Sequence, residues 1–322
     1  MMNSKILKRT LFFLIGIVLF WYVYRNFDLH SISDAIKGLK FKWIFLSVIL
    51  GLISHFIRAL RWGMLIKPMG YNPKKINLFL SVLVLYFINL VIPRGGEFAR
   101  CAVITKSEKI PFVKLLGTVF IERVTDFIAF IIIFFVILIG QFSVVERLFY
   151  SLTMDFSHLQ SKTISLVIVA SLILVFYIIS KRLGLFKRFA AKINMVQGDM
   201  KEGFKSILQI RNKWTYLFYT ILIFILWSVM FYVIYLAYPP TSALPFSSAI
   251  FAYTIGTFAY LLPIQAGIGV WHFLIIESLF LFGLDKESGM MFALIAHTFT
   301  DLIYLVFGTL SFMIIPLIKN RG

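Results

Sequence analysis

The sequence is poor in the charged residues that cover the surface of a water-soluble protein. Only 14% of its 322 residues are charged, whereas a soluble domain carries about a quarter. Hydrophobic residues make up 60%, and the mean hydropathy is +0.92. This composition excludes a soluble globular domain for most of the chain and predicts that lipid is its main solvent.

Cysteine and acidic residues are scarce as well. The single cysteine, Cys101, excludes an internal disulfide and a cysteine-rich metal site. Fourteen acidic residues stand against 32 lysines and arginines, so the formal net charge is +18. Because the basic residues lie in short segments between apolar runs, we attribute them to the positive-inside rule rather than to nucleic-acid binding. Anionic lipid headgroups are the partners that this charge favours.

Apolar runs near 20 residues predict an all-α integral membrane protein with one polytopic domain over residues 1–322. The first run lacks a cleavage site, so we interpret it as a retained helix and not as a signal peptide. The predicted spans, about eight in number, are 11–24, 43–66, 76–92, 112–141, 163–180, 214–236, 245–262 and 290–318. Two shorter pieces, 96–106 and 269–283, each follow a break that contains proline and glycine. We expect both to be re-entrant or broken helices.

The distribution of basic residues tests this topology. The segment 181–213 carries nine lysines and arginines and should be cytoplasmic, as should both termini. Eight simple spans would place that segment outside, and the conflict disappears if 96–106 returns to the cytoplasmic side. If 269–283 also crosses or re-enters, the C-terminus is cytoplasmic as well. The basic 25–42 loop is then an exception on the outer side. We therefore predict a multi-pass protein of the cell membrane.

The two breaks belong to an internal repeat, with units at about 76–141 and 245–318. Each unit has a helix, a break, a short helix and a long helix with polar residues. The units start on opposite sides, so the repeat is inverted, which is the sequence pattern of a transporter-type binding site. The residues of the breaks are Pro93, Gly95, Gly96, Pro263, Gly267 and Gly269.

Several ionisable residues lie within apolar runs, where each charge costs roughly 2.5–3.5 kcal/mol on insertion scales. Arg58 and Arg61 share a helical face with His55 and could bind a lipid phosphate, since guanidinium matches phosphate bidentately. Arg61 could instead extend to the cytoplasmic interface.

The first break carries Arg94, Glu97 and Arg100. A helix N-terminus inside a membrane suits an anion, although Glu97 could simply cap that terminus and pair with either arginine. Glu122, Arg123 and Asp126 follow on the long helix, with the two carboxylates four residues apart and so on one face. An ion-pair network with Arg94, Arg100 or Arg58 would satisfy them, either as structure or as part of a transport path.

The second break has Gln265 beside its glycines, and the long helix that follows carries His297 and Asp301 four residues apart. The carboxylate can orient the imidazole, either as a satisfied buried hydrogen bond or as a proton relay. Two such ligands are too few for a metal site, so we expect neither metal nor cofactor.

These residues resemble one family in their order along the chain. The matching motifs are Arg-Ala-Leu-Arg-Trp at 58–62, Pro-Arg-Gly-Gly-Glu-Phe-Ala-Arg at 93–100, Glu-Arg-Val-Thr-Asp at 122–126, and Pro263 with Gly-Ile-Gly-Val at 267–270. Together they are similar to the transmembrane region of lysylphosphatidylglycerol synthases, a flippase-like family that also occurs as stand-alone membrane proteins. The resemblance implies movement of a phospholipid across the membrane. This chain has Trp271 and His272 where the family often has an acidic residue.

Three functions remain open on the sequence. The first is a transporter that moves a lipid or a lipid-linked anion between leaflets. The second is a membrane-embedded lipid transferase, although the zinc-protease, nucleophile-elbow and phosphate-loop motifs are missing. The third is a scaffold that docks a lipid-modifying enzyme through the basic segment. We favour the transporter without a synthase domain and expect no catalytic residue.

Overall fold

The computed structural model describes residues 4–25, 27–28, 30–141, 144, 199–262 and 264–319. These residues form helices and no strand, which confirms the predicted all-α class. The helices are α1 (Ser4–Tyr24), α2 (Ser31–Lys37), α3 (Phe41–Ile66), α4 (Lys75–Val91), α5 (Gly96–Glu108), α6 (Phe112–Gly140), α7 (Asp199–Lys205), α8 (Lys213–Ala237), α9 (Phe246–Thr257), α10 (Val270–Leu281) and α11 (Lys286–Lys319). The predicted span 163–180, the first part of the basic segment (181–198) and Pro263 lie outside the described residues.

Four of the described helices are long and apolar enough to cross a membrane, namely α3, α6, α8 and α11. The helices at the predicted spans 76–92 and 245–262 are shorter. The 17 residues of α4 measure about 25 Å, and α9 has 12 residues followed by one 3₁₀ turn. A hydrocarbon core is about 30 Å thick. The count of about eight transmembrane helices therefore stays a prediction.

Helices α3 and α8 form an antiparallel pair that defines two ends of the molecule. At one end the Lys40 amide donates to the Ala237 carbonyl at 2.9 Å. Midway, Trp227 Nε1 donates to Ser54 Oγ at 3.0 Å. The other end holds the C-terminus of α3 and the start of α8. Helix α4 begins a few residues after the end of α3, and α9 begins a few residues after the end of α8. Helices α4 and α9 therefore start at opposite ends of the α3–α8 pair.

Each of α4 and α9 turns back as a hairpin. At the α4 hairpin, Glu108 at the end of α5 accepts from the Lys74 amide and from Asn77 near the start of α4. At the α9 hairpin, the rings of Phe251 and Phe282 lie 5.6 Å apart, so α10 returns along α9. The second helix of each hairpin, α5 or α10, therefore ends near the start of the first helix, α4 or α9.

The tips of the two hairpins contact each other. Arg94 Nη2 donates to the Leu261 carbonyl at 2.6 Å, and Gln265 Nε2 donates to the Leu90 carbonyl at 2.6 Å. The contact is reciprocal, because each break supplies one side-chain donor and one backbone acceptor. An order of helix, break, short helix and long helix thus occurs twice. The inverted-repeat relation of 76–141 and 245–318 remains a prediction.

The apolar core of the described residues has two parts. One lies among α8, α9, α10 and α11 around Tyr235, Ile275 and Phe292. The other lies among α3, α4, α5 and α6 around Trp62, Ile104 and Leu115. The second part surrounds the buried charges.

Candidate functional site

Glu122 is the centre of the buried charge network. Its side chain is fully buried on α6, yet it accepts from Arg58 Nε at 3.0 Å and Arg61 Nη2 at 3.3 Å, both on α3. Arg100 Nη2, on α5, donates to the second carboxylate oxygen at 2.7 Å. One carboxylate therefore links the short helix α5 to the two long helices α3 and α6.

Asp126 extends the network by one helical turn. Arg61 Nη2 lies 2.5 Å from its Oδ1, and Arg58 Nη2 lies 3.4 Å from its Oδ2. Arg123 Nη2 contacts the same carboxylate at 3.0 Å and Glu122 at 3.2 Å. The side chain of Arg123 is 38% exposed, whereas those of the other three arginines are at most 3% exposed. Arg123 is thus the arginine through which the network reaches the surface.

Neutral side chains complete the surroundings, and of these the sequence analysis named only Trp62, in the motif at 58–62. Tyr86 Oη accepts from Arg58 Nη1 at 2.5 Å, and Thr220 Oγ1 accepts from Arg61 Nη1 at 3.1 Å. The guanidinium carbon of Arg100 lies 4.4 Å from the centroid of the Trp62 ring, a cation–π contact that is strongest when desolvated. Single hydroxyls and aromatics in apolar helices are common, so only the fold identifies these partners.

Positive charge exceeds negative charge in the network. Four guanidinium groups contact two carboxylates, and a third carboxylate, that of Glu97, lies within electrostatic range of Arg58, which leaves an excess of one positive charge. Arg100 Nε and Nη1, Arg61 Nε and Arg123 Nε are buried and have no hydrogen-bond partner. Buried charges are normally paired, so an arrangement with spare donors can accept an anion.

At the first break, the contacts of Arg94 and Glu97 differ from those considered on the sequence. Arg94 binds the carbonyl of Leu261 instead of a carboxylate, because its backbone, with φ +59°, turns the side chain toward the other hairpin. Asn89 Oδ1, not Glu97, accepts from the first amide of α5 at 2.8 Å. Glu97 Oε2 is buried without a hydrogen-bond partner. Asn89 therefore takes the capping position that one interpretation of the sequence gave to Glu97.

The second break is a compact turn against α1. Ala266, Gly267 and Gly269 all have positive φ, which permits the sharp reversal between α9 and α10. A Cβ atom on Gly269 would lie only 2.2 Å from the Gly16 carbonyl oxygen of α1. Glycine is thus required here for close approach as well as for backbone conformation.

His297 and Asp301 lie beside this second break and apart from the charge network. His297 Nδ1 is 3.2 Å from Asp301 Oδ2, and His297 Nε2 is 2.9 Å from the Ala266 carbonyl. The stacked rings of Tyr86 and Tyr304, 4.6 Å apart, stand between the two groups. Within the described part of the chain, no group of three or more histidine, cysteine or acidic residues could hold a metal ion.

The chain was also compared with known protein families. The family described as "Lysylphosphatidylglycerol synthase TM region" matches residues 10–308, nearly the full length of the chain. The chain belongs to this family. The resemblance inferred from the four motifs is thereby confirmed, and with it the assignment as a membrane protein.

One curated relative is a UPF0104 membrane protein of Methanocaldococcus jannaschii. It is 30% identical over 198 residues, which cover 60% of this chain and 56% of the relative. The match thus spans little more than half the length of that relative, whose name describes it only as a membrane protein. No solved structure matches the chain.

Proposed function

We propose that the protein moves a lipid, or a lipid-linked anion, between the two leaflets of the cell membrane. The observation that carries this proposal is the excess of guanidinium groups over carboxylates, three of the guanidinium groups being buried, at the point where the short helix α5 meets two long helices. The phosphate of a lipid headgroup would supply the missing negative charge, and guanidinium groups bind phosphate through paired donors.

The position of Arg123 supports a lateral approach by the headgroup. This partly exposed guanidinium contacts both carboxylates of the network, so an anion that binds it first would compete with Glu122 and Asp126. Arg100, with two spare buried donors, would then receive the phosphate deeper in the protein.

A leaflet-exchange assay tests the proposal. The purified protein would be placed in liposomes with headgroup-labelled anionic, zwitterionic or aminoacylated lipids. We expect faster exchange of the anionic or aminoacylated phospholipid, and about a tenfold loss with Arg123→Gln, the size of one lost charged hydrogen bond. Arg211→Gln is the matched control, because Arg211 is an exposed arginine outside the network.

Absence of exchange with every lipid, from protein that remains folded, would contradict transport. The result would then favour the third function considered above, a scaffold for a lipid-modifying enzyme, and stable co-purification of such an enzyme would support it. Conversion of a lipid by the purified protein would favour the transferase instead. The proposed orientation has both termini in the cytoplasm.

A further inference from the structure

Glu97 lies in the first turn of α5, and its carboxylate has an unused hydrogen-bond acceptor. The Oε2 atom is buried and has no hydrogen-bond partner. Asn89 already binds the first amide of α5 at 2.8 Å, so this helix does not need Glu97 as its cap. A buried carboxylate oxygen without a partner is destabilising, and such an atom calls for a functional explanation.

Unused hydrogen-bond donors lie one turn further along the same helix. Arg100 is fully buried, and its Nη2 binds Glu122 at 2.7 Å, whereas its Nε and Nη1 have no partner. Residues three positions apart in a helix are neighbours, with Cβ atoms about 5–6 Å apart. The start of α5 therefore presents an unused acceptor, on Glu97, next to unused donors, on Arg100.

Packing keeps the two groups in these places. A Cβ atom on Gly96 would collide with the Leu85 carbonyl oxygen, so the backbones of α5 and α4 are in direct contact. Arg100 is held by its bond to the network and by the Trp62 ring, whose centroid lies 4.4 Å from the guanidinium carbon. Arg100 therefore cannot turn toward Glu97 without losing these contacts.

We infer that Glu97 selects lipids whose headgroup carries a hydrogen-bond donor, an ammonium or a hydroxyl group, beside the phosphate. The phosphate oxygens accept from Arg100, and the donor of the headgroup binds Oε2 of Glu97. A short carbon chain separates phosphate and donor in such headgroups, which suits the spacing of neighbouring helical side chains. This inference rests on the proposed function and names the class of headgroup that the site takes.

Charge and exposure around Glu97 agree with this class. Glu97 lies within electrostatic range of Arg58, so its carboxylate acts on the same ligand as the network. A phospholipid with one negative charge and a hydroxyl donor neutralises the excess positive charge, whereas a zwitterionic headgroup leaves it in place. Glu97 is partly exposed, and Phe98 beside it is 58% exposed, so a lipid can approach this turn from the membrane.

Lipid binding to the full chain in detergent tests the selection with two pairs of lipids of equal charge. Phosphatidylethanolamine has N–H donors and phosphatidylcholine has none; phosphatidylglycerol has hydroxyl donors and phosphatidylmethanol has none. Native mass spectrometry would measure the ratio of bound lipids within each pair. We expect the donor-bearing lipid to be favoured about tenfold, the size of a hydrogen bond to a charged group, and the preference to vanish in Glu97→Ala.

The variants separate recognition from folding. Glu97→Ala breaks no hydrogen bond of Oε2, so this variant should fold. Glu97→Gln retains a neutral acceptor and should keep part of the preference. Glu287→Ala removes an exposed carboxylate in the first turn of α11 and should bind as the parent does. A preference within only one pair would identify the donor as ammonium or hydroxyl. Equal binding within both pairs, or a preference that persists in Glu97→Ala, would overturn the inference.

Binding and movement of lipid are measured separately. Selective binding without leaflet exchange would contradict transport and leave the selection by Glu97 intact. Exchange that does not discriminate within either pair would support transport and overturn the selection. Failure of the parent protein to bind any of these lipids would overturn both. A purely structural Glu97 would lower the binding of every lipid equally in Glu97→Ala, so the ratio within each pair distinguishes the two roles.

Discussion

The Glu122 carboxylate contacts four guanidinium groups, those of Arg58, Arg61, Arg100 and Arg123, and its side chain has no exposure to solvent. Removing one partner of a buried ion pair costs about 3–5 kcal/mol, because the remaining charge loses its compensation. We expect Glu122→Gln to lower the stability of the detergent-solubilised protein by about that amount, measured as a fall in melting temperature. Glu287→Gln removes an exposed carboxylate and should leave the melting temperature nearly unchanged. Equal effects of the two variants would contradict the central role of Glu122.

Arg58 uses the geometry of guanidinium rather than its charge alone. Its Nε, Nη1 and Nη2 contact Glu122, Tyr86 and Asp126, respectively. A lysine ammonium is a single point and cannot reach three partners in these directions. Arg58→Lys should therefore reduce lipid exchange about as much as Arg58→Ala, whereas Arg25→Lys, at an exposed position beside Trp21, should retain full exchange. Exchange close to the parent rate in Arg58→Lys would show that charge alone suffices.

At the level of secondary-structure elements, the first hairpin depends on the absence of a side chain at Gly96. A Cβ atom there would lie 2.1 Å from the Leu85 carbonyl oxygen of α4, where only backbone could move aside. Gly96→Ala should destabilise the protein by about 1–3 kcal/mol, the usual cost of overpacking. Gly140→Ala is the matched control, because a Cβ on this helical glycine meets no atom within 4 Å. A melting temperature that falls equally in both variants would argue against close packing of α4 and α5.

The start of α11 offers a pH-dependent test outside the membrane. The Ser288 backbone N–H donates to Asp285 Oδ1 at 2.8 Å and holds the pKa of that carboxyl below its usual range. The stabilisation is therefore complete above the unfolded-state pKa of about 3.9 and is lost as the pH falls through the lower folded-state pKa.

Asp285→Ala should lower stability by about 1 kcal/mol near neutral pH, as for loss of an N-cap, with a smaller effect at a pH of about 3. Thermal unfolding at the two pH values measures the difference. Asp34→Ala removes an exposed carboxylate paired with Lys37 and should have a small effect throughout. A loss in Asp285→Ala that is the same at both pH values would rule out the ionised cap.

Hydropathy and glycine placement predicted the elements well, since α3, α6, α8 and α11 coincide with long apolar runs and each short helix follows a break. The partners of the charges were harder to predict. The sequence indicated that Glu122 and Asp126 share a face, but Arg94 was an equally reasonable partner until the fold directed it to Leu261. Asn89 and Tyr86 were missed because their partners lie on another helix or beyond a break, and sequence spacing reports only contacts within one helix.

At the scale of the whole molecule, the two hairpins begin at opposite ends of the antiparallel pair of α3 and α8. The arrangement predicts that Asp34 in α2 and Lys106 near the end of α5 are reachable from opposite sides of the membrane. Both are exposed, whereas the native Cys101 is fully buried. A single cysteine placed at either position, in a Cys101→Ala background, would therefore report only its own location.

An impermeant maleimide added to intact cells should label Asp34→Cys and leave Lys106→Cys unlabelled, and permeabilised cells should show both. The expected sides follow from the positive-inside rule, which places the segment near Lys106 in the cytoplasm. Lys109→Cys should behave as Lys106→Cys does, because Lys106 lies in the last turn of α5 and Lys109 directly follows that helix. Labelling of both positions from one side would contradict the opposed hairpins. A reversed pattern would retain that architecture and invert the orientation, so that the 25–42 loop, with its four basic residues, would be the cytoplasmic one.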